Sequence, residues 1–304
     1  MSHLSSPHFH NEEAAYAFVE ARVWPTGPVC PHCGGFDRIG KMGGKSTRIG
    51  TYKCYQCRKP FTVKVGTIFE ASHVPMHYWL QAIYLMCASK KGVSSNQLHR
   101  TLGVTLKTAW FMSHRIREAM RSGDLAPFGS GGGIVEVDET FIGVARPKPV
   151  KSRGGHHKNK VLSLVDRATG RARSFVVKDV SKAEVLPILR ENIAKEARVM
   201  TDEARIYDRL AADFAGHDFV RHAADEYVRG EVHTNTIEGY FSIFKRGMRG
   251  VYQHCDKKHL HRYMAEFDFR YSNRKALGVE DTERADRALL GVVGKRLTYQ
   301  TTRA

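Results

Sequence analysis

The chain has 304 residues, of which 42% are hydrophobic and 26% charged, a balance that excludes a disordered or fibrous protein and predicts globular domains with proper cores. Its formal net charge of +17 favours a polyanionic partner, because lysines and arginines that neutralise phosphates release condensed counterions. Nucleic acid is the leading candidate and an anionic membrane surface the weaker one. The start of the chain is polar and no apolar stretch is long enough to span a bilayer, so we expect a cytoplasmic protein.

Residues 1–72 contain two Cys-x-x-Cys pairs among short strand-like runs at 51–55 and 61–65. The pairs are Cys30 with Cys33 and Cys54 with Cys57. Four thiolates at this spacing predict a tetrahedral Zn2+ site, whose bonds would supply the folding free energy that so small a module lacks. We expect the zinc to be structural, because four sulfur ligands leave no position for a catalytic water; a redox role for the pairs is the alternative.

Residues 73–127 show helical periodicity and are predicted to form a DNA-binding region. Helical patterns at 94–101 and 105–120, separated by a turn at Gly103, resemble a helix-turn-helix whose second helix would enter the major groove. An ordinary amphipathic helix with a basic face is the alternative. The side chains predicted to face the DNA are Lys107, Thr108, Ser113, His114, Arg115 and Arg117.

A Ser/Gly segment at 129–133 predicts a linker before a third domain at 134–275, and 276–304 reads as a C-terminal tail. The pattern of this domain predicts a mixed α/β layer structure, and its element order fits a ribonuclease-H-like sheet. The expected strands are 134–143, 161–166, 171–178, 198–201 and 218–222, and the expected helices are 181–196, 203–214, 235–248 and 259–271. A basic, glycine-containing loop is expected at 146–160.

Three acidic residues of the third domain stand where side chains can converge. Asp138 lies within the first strand, Asp202 follows the strand at 198–201, and Glu238 lies on the helix that begins near Asn235. Three carboxylates brought together would repel one another unless cations neutralise them, so the set predicts two Mg2+ or Mn2+ ions. Two such ions can activate an attacking oxygen and stabilise a leaving oxygen in phosphoryl transfer.

Other polar residues near these acids have alternative roles. Asn235, Glu238 and Lys245 share one face of the helix, and Lys245 is placed to hold a phosphate. Asn235 is either a metal ligand or the cap of the helix. Strand alternation points Glu139 away from Asp138, and Glu203 is expected to cap the following helix, so we exclude both neighbours from the site.

These motifs together resemble those of a known family, the zinc-ribbon DDE transposases of bacterial insertion sequences, the ISXO2-like group related to Merlin elements. The motifs that carry the resemblance are Cys30 to Cys33, Gly66 to Phe69, Lys107 to Trp110, His114 to Arg117, Val137 to Thr140, Thr201 to Ala204, His233 to Gly239, Lys245 to Gly247 and Tyr252 to His254. They occur in the same order over nearly the whole length.

The resemblance implies a ribonuclease-H-like core in which Asp138 and Asp202 are the first two metal ligands, with Glu238 favoured over Asn235 as the third. It further implies recognition of terminal inverted repeats on double-stranded DNA, 3′-end cleavage and strand transfer, acting on the bacterial nucleoid. Because transposition joins two DNA ends, we expect a homodimer or higher oligomer on DNA. The alternatives are a catalytically silent DNA-binding regulator derived from a transposase and a structure-selective nuclease that performs no strand transfer.

Overall fold

A computed structural model of the chain describes residues 2–121, 123, 126–143, 157–221, 224–226 and 228–298. The chain divides into two compact units, Met1–Arg121 with Val279–Ala304, and Ser122–Gly278. Most of the basic loop predicted at 146–160 lies outside the described residues. In the described part of the chain, no helix combines the length and the apolar character that a bilayer span requires.

The first unit begins with a helix and a small antiparallel sheet. The helix is α1 (Glu12–Val23). Asn11 caps its first turn, because the Asn11 side chain accepts a hydrogen bond from the backbone N–H of Ala14 at 2.8 Å. The sheet has the order β1-β2-β3 and places the two cysteine pairs beside each other. Its strands are β1 (Ile39–Lys41), β2 (Tyr52–Cys54) and β3 (Pro60–Phe61).

Four further helices complete this unit. They are α2 (Met76–Ala88), α3 (Ser95–Leu102), α4 (Leu106–Met120) and α8 (Asp281–Leu290), the last numbered by its place in the chain. Between α3 and α4 the chain turns at Gly103, which has a φ of +67° that suits glycine. The prediction of a C-terminal tail is wrong for α8, which packs against α1, α2 and α4. The apolar side chains that drive this packing, Ala288 and Leu289, are buried.

The second unit is built on a mixed sheet with the order β6-β5-β4-β7-β8. β4, β5 and β6 are antiparallel neighbours, whereas β7 and β8 run parallel to β4. A short hairpin of β9 and β10 follows. The strands are β4 (Ile134–Ile142), β5 (Asn159–Asp166), β6 (Ala172–Val177), β7 (Arg198–Thr201), β8 (Gly216–Phe219), β9 (Val228–Arg229) and β10 (Val232–His233).

Each face of this sheet is covered by helices, and each covered face has an apolar core. On one face α5 (Lys182–Asn192) packs with Val135 and Val137 of β4. On the other face α6 (Asn235–Gly247) and α7 (Lys257–Ser272) pack with Val161 and Val165 of β5. The predicted mixed α/β architecture is confirmed, with most strand and helix bounds within a few residues.

The helix predicted at 203–214 is not an α-helix. The structure has two 3-10 turns there, Arg205–Tyr207 and Leu210–Ala212. Tyr207, Leu210 and Phe214 are nevertheless buried in the α5-side core at intervals of three and four residues. The apolar residues therefore recur every three to four positions because one side of the segment is buried, and 3-10 turns can bury one side as an α-helix does.

The Ser/Gly segment at 129–133 is a tight turn within the second unit and not a linker between domains. Gly129 has a φ of +74° and donates its N–H to Asp166 Oδ2 at 3.1 Å. A Cβ on Gly129 would lie 2.5 Å from the Cβ of Ala197 and 2.8 Å from Val135 Cγ2. A Cβ on Gly131, which has a φ of +76°, would meet no atom within 4 Å. Only the first of these two glycines is thus required by packing as well as by conformation.

We predict that Gly129→Ala destabilises the second unit strongly, whereas Gly131→Ala costs only about 1–2 kcal/mol for its left-handed conformation. Steric conflict with Ala197 and Val135 should add roughly 1–3 kcal/mol at Gly129. Urea unfolding of both variants measures the difference. Equal losses of stability at the two positions would show that the turn is not packed as described.

Candidate functional site

The sheet register brings two of the predicted acids to neighbouring positions. β4 pairs with β7 in parallel, with Glu136 opposite Met200. Asp138 and Asp202 each come two residues further along, Asp138 within β4 and Asp202 directly after β7. The Asp202 carboxylate accepts a hydrogen bond from the backbone N–H of Ala204 at 3.0 Å. The two aspartates therefore occupy adjacent places at the end of the parallel strand pair.

The pKa of Asp138 depends on its burial and on the acids around it. The pKa of its carboxyl is raised to about 8, first by burial and then by the charges of Glu139, Asp202 and Glu238, against a lowering by the backbone N–H of Glu139. That N–H donates to Asp138 Oδ1 at 2.6 Å. The acids predicted from the sequence thus share one electrostatic environment in which negative charge is unfavourable and a bound cation would be stabilised.

Glu139 also belongs to this environment, which corrects its exclusion as an uninvolved neighbour. Strand alternation holds, because Glu139 accepts a hydrogen bond at 2.5 Å from the hydroxyl of Tyr207, a residue of the α5-side core. Burial raises the pKa of Glu139 to about 7, and Asp202 contributes in the same direction. Sequence alternation alone could not reveal this contact, since Tyr207 approaches from a distant segment. Glu203, in contrast, is exposed, as expected for a residue outside the site.

Helix α6 carries the remaining candidates at its start. Thr234 occupies the N-cap position and Asn235 is the first helical residue, so the interpretation of Asn235 as the cap is wrong. Asn235 and Glu238 are exposed, and Glu238 Oε1 accepts from the Thr234 hydroxyl at 3.1 Å. Lys245 lies two turns further on, half-buried, with its Nζ 5.7 Å from the centre of the Phe241 ring.

The acids are gathered less tightly than preformed metal ligands. Within the described residues, the four cysteines are the one group of three or more His, Cys, Asp or Glu side chains whose ligand atoms all lie within 4.8 Å of one another. Asp138 therefore experiences the charges of Asp202 and Glu238, but the three carboxylates do not form so tight a group. A divalent cation with oxygen ligands fits this donor set chemically, because its charge removes the repulsion that raises the pKa of Asp138.

The four cysteines form a site that fits Zn2+ closely. Their sulfur atoms approach across the two pairs, with 3.6 Å between Cys30 and Cys57 and 3.7 Å between Cys33 and Cys54. Zinc–sulfur bonds in a tetrahedral site place sulfur atoms about 3.8 Å apart. Cys30 and Cys54 are also buried in a small apolar cluster with Phe61. The geometry supports the prediction of a structural zinc.

The prediction that α4 presents a DNA-reading face is wrong for the middle and the end of this helix. Ser113, His114 and Arg117 are fully buried, and Arg115 is 5% exposed. The Arg115 guanidinium donates to the carbonyls of Ile68, Glu70 and Leu297. These positions are covered because α4 contacts α2, α3 and α8, and α8 lies in the segment predicted to be a C-terminal tail.

Of the residues predicted to face DNA, the two at the start of α4 remain accessible. Lys107 is exposed and Thr108 half-buried in its first turn. The backbone N–H of Thr108 donates to the Thr105 hydroxyl at 3.1 Å, which caps the helix. Contact of these two residues with DNA stays a prediction.

Two family models match the chain. The transposase zinc-ribbon domain matches residues 10–60, and the ISXO2-like transposase domain matches residues 131–272. An uncharacterized protein in the transposable element ISH50 of Halobacterium salinarum is 30% identical over 280 residues, which are 86% of this chain and 91% of that protein. An uncharacterized transposase-like protein of Haemophilus influenzae is 29% identical over 100 residues, 33% of this chain and 80% of that one.

A solved structure gives a weaker likeness. The crystal structure of the Mos1 strand transfer complex aligns with a TM-score of 0.21 and 11% sequence identity, covering 64% of this chain and 76% of that chain. A score this low supports no comparison of folds.

We predict that Cys54→Ser abolishes zinc binding and loosens residues 30–61, because the ribbon has little apolar core besides its thiolate site. The measurement is zinc content per chain, combined with hydrogen exchange of the ribbon peptides. Cys255→Ser, at a half-buried cysteine in the other unit, is the control and should retain one zinc per chain. Full zinc content in Cys54→Ser would contradict the four-thiolate site.

We predict that Asp138→Asn stabilises the second unit at pH 8 when no divalent cation is added. Folding raises the pKa of the Asp138 carboxyl from 3.8 to about 8, so the folded unit becomes less stable as the pH rises through that window. Asparagine cannot ionise, and the variant therefore avoids this loss of stability. The gain over the wild type should grow from pH 5 to pH 8 and reach roughly 1–3 kcal/mol. Urea unfolding at pH 5 and at pH 8 measures this difference in stability. A variant that is less stable than the wild type by the same amount at both pH values would contradict the raised pKa of Asp138.

Proposed function

The chain belongs to the family of ISXO2-like transposases, and we propose that it binds the terminal inverted repeats of an insertion sequence, cleaves the DNA at the 3′ ends and transfers these ends to a target. The observation that carries the proposal is the β4–β7 register, which sets Asp138 and Asp202 side by side. The charges of Glu139, Asp202 and Glu238 act together on Asp138. Transposition joins DNA ends in a reaction for which such a carboxylate set is suited.

The sheet order supports a ribonuclease-H-like catalytic core. Three antiparallel strands, β4, β5 and β6, are followed by β7 and β8 parallel to β4, and the chain order of three strands, a helix and further strands is the one predicted from the sequence. We place the catalytic work in this unit. The first unit, with its zinc ribbon and the α3–α4 pair, is proposed to bind DNA through Lys107 and Thr108 at the start of α4.

In the proposed reaction, Asp138 and Asp202 hold Mg2+ or Mn2+ with Glu238 or Asn235 as the third protein ligand. Two bound cations would supply the positive charge that activates an attacking water or 3′-hydroxyl and stabilises the leaving oxygen. Asp202 is oriented by the N–H of Ala204 and Glu238 by the hydroxyl of Thr234. Lys245, on the face of α6 that carries Glu238, binds a phosphate of the DNA backbone. Because the reaction joins two ends, the active form on DNA is a homodimer or larger assembly.

The test is cleavage of labelled DNA carrying the ends of the element, with Mg2+, by the wild type, Asp202→Ala and Glu203→Ala. We expect Asp202→Ala to bind DNA normally but to lose at least about a hundredfold in 3′-end cleavage, because a metal ligand is removed. Glu203→Ala, at the exposed neighbouring acid, should cleave like the wild type.

Other outcomes favour other functions. Tight DNA binding without cleavage by any of the three proteins would support the catalytically silent regulator. Cleavage without joining of paired ends to a target would support a nuclease.

A further inference from the structure

A buried carboxylate with no part in the proposed metal ligation lies at the centre of the second unit. Glu136 is 0% exposed and stands on β4 two residues before Asp138, so both side chains leave the strand on the same face. Its Oε1 accepts from Arg167 Nε at 2.5 Å, and the Arg167 side chain is 17% exposed. A buried ion pair is costly to form and, once formed, costly to break on one side only.

The second oxygen of Glu136 reaches the start of α6. Glu136 Oε2 accepts from the backbone N–H of Ile237 at 2.8 Å, and Ile237 is the third residue of that helix. Thr234, in the N-cap position, makes no capping hydrogen bond with its side chain. Glu136 therefore satisfies, from a distant strand, a donor that a local cap ordinarily satisfies, and its negative charge lies at the positive end of the helix dipole.

Arg167 extends this contact to the segment that leads into α6. It donates through Nη1 to the carbonyl of Glu231 at 2.7 Å and through Nη2 to the carbonyl of His233 at 2.7 Å. Nη2 also lies 2.9 Å from His233 Nδ1, which is itself 3.3 Å from Glu136 Oε1. The ion pair thus binds β4, the β9–β10 hairpin and the first turn of α6 to one another.

We propose that Glu136 and Arg167 are positioning residues that set the distance between the carboxylates of β4 and α6. Glu238 follows Ile237 by one residue and Asp138 follows Glu136 by two, so the hydrogen bond from Ile237 to Glu136 joins the two acids through short stretches of backbone. The α6 acid is exposed on a helix that lacks a local side-chain cap, and its placement relative to Asp138 depends on this bond. The inference rests on the proposed function, since it assigns the bond a role in holding the cation site.

The experiment is a Mn2+ titration of the full-length, zinc-loaded protein, in which the free ion is followed by electron paramagnetic resonance. Glu136→Gln keeps the shape of the side chain but removes the charge that faces Arg167. We expect at least about a tenfold loss of Mn2+ affinity, as is typical when a residue that orients a ligand is changed. Hydrogen exchange of the peptide spanning the start of α6 should accelerate in the same variant, while exchange in α7 stays unchanged.

Glu266→Gln is the matched control. Glu266 is also 0% exposed and accepts from an arginine, Arg270, at 2.5 Å. It also accepts from the Tyr252 hydroxyl, and it lies on α7, which packs on the same face of the sheet as α6. This variant should lose stability comparably and retain Mn2+ affinity. Equal losses of Mn2+ affinity in Glu136→Gln and Glu266→Gln would show that the loss in Glu136→Gln comes from general destabilisation, and this would overturn the proposal.

Asp138→Asn separates failure of this inference from failure of the proposed function. If Asp138→Asn abolishes Mn2+ binding but Glu136→Gln binds Mn2+ like the wild type, the positioning role is overturned and the metal site stands. If Asp138→Asn leaves Mn2+ binding intact, the metal site fails and the positioning role fails with it. A loss of affinity in Glu136→Gln without faster exchange in α6 would also overturn positioning, because the effect would then be one of charge alone.

Discussion

The fold of the second unit brings several carboxylates near Asp138, and the repulsion among them is the main constraint on this site. Asp138 and Asp202 each stand two residues beyond the last pair of the parallel β4–β7 ladder, and burial of Asp138 removes water that would screen the charges around it. The chain supports these acids individually, with the N–H of Ala204 on Asp202 and the Tyr207 hydroxyl on Glu139. Such local support orients the side chains but leaves the excess negative charge in place. A structure that keeps so unfavourable a group of charges has a use for it, and binding of divalent cations is the use that its chemistry fits.

Features that depend on short stretches of sequence were predicted well. The cysteine spacing sufficed for the ribbon, because two Cys-x-x-Cys pairs need only a hairpin to meet. The period-two pattern of β4 placed Asp138 and Glu136 on one face and Glu139 on the other, as the structure has them. The succession of strands and helices then sufficed for the mixed α/β architecture. In the case of β4 the information lies within about ten neighbouring residues, where backbone geometry alone decides which way a side chain points.

Features that depend on distant partners were not predicted. The basic positions of α4 read as a DNA-facing surface until α8, more than 150 residues later, is seen to pack against that helix. Gly129 reads as a linker residue until Ala197 is found against it. Glu136 reads as one more strand acid until Ile237 and Arg167 are found at its oxygens. Burial of a polar side chain is a property of the assembled fold, and no local pattern distinguishes a buried, paired glutamate from an exposed one.

Anomalous diffraction from crystals grown with Mn2+ would test the central claim, that the acids of β4, β7 and α6 form one divalent-cation site. The account predicts an anomalous peak bounded by Asp138 and Asp202, with Glu238 or Asn235 completing the protein ligands. The same map would show whether the third ligand is the carboxylate or the amide. Peaks confined to surface carboxylates, with the Asp138–Asp202 region empty at saturating Mn2+, would contradict the metal-dependent mechanism and leave these acids without the role assigned to them.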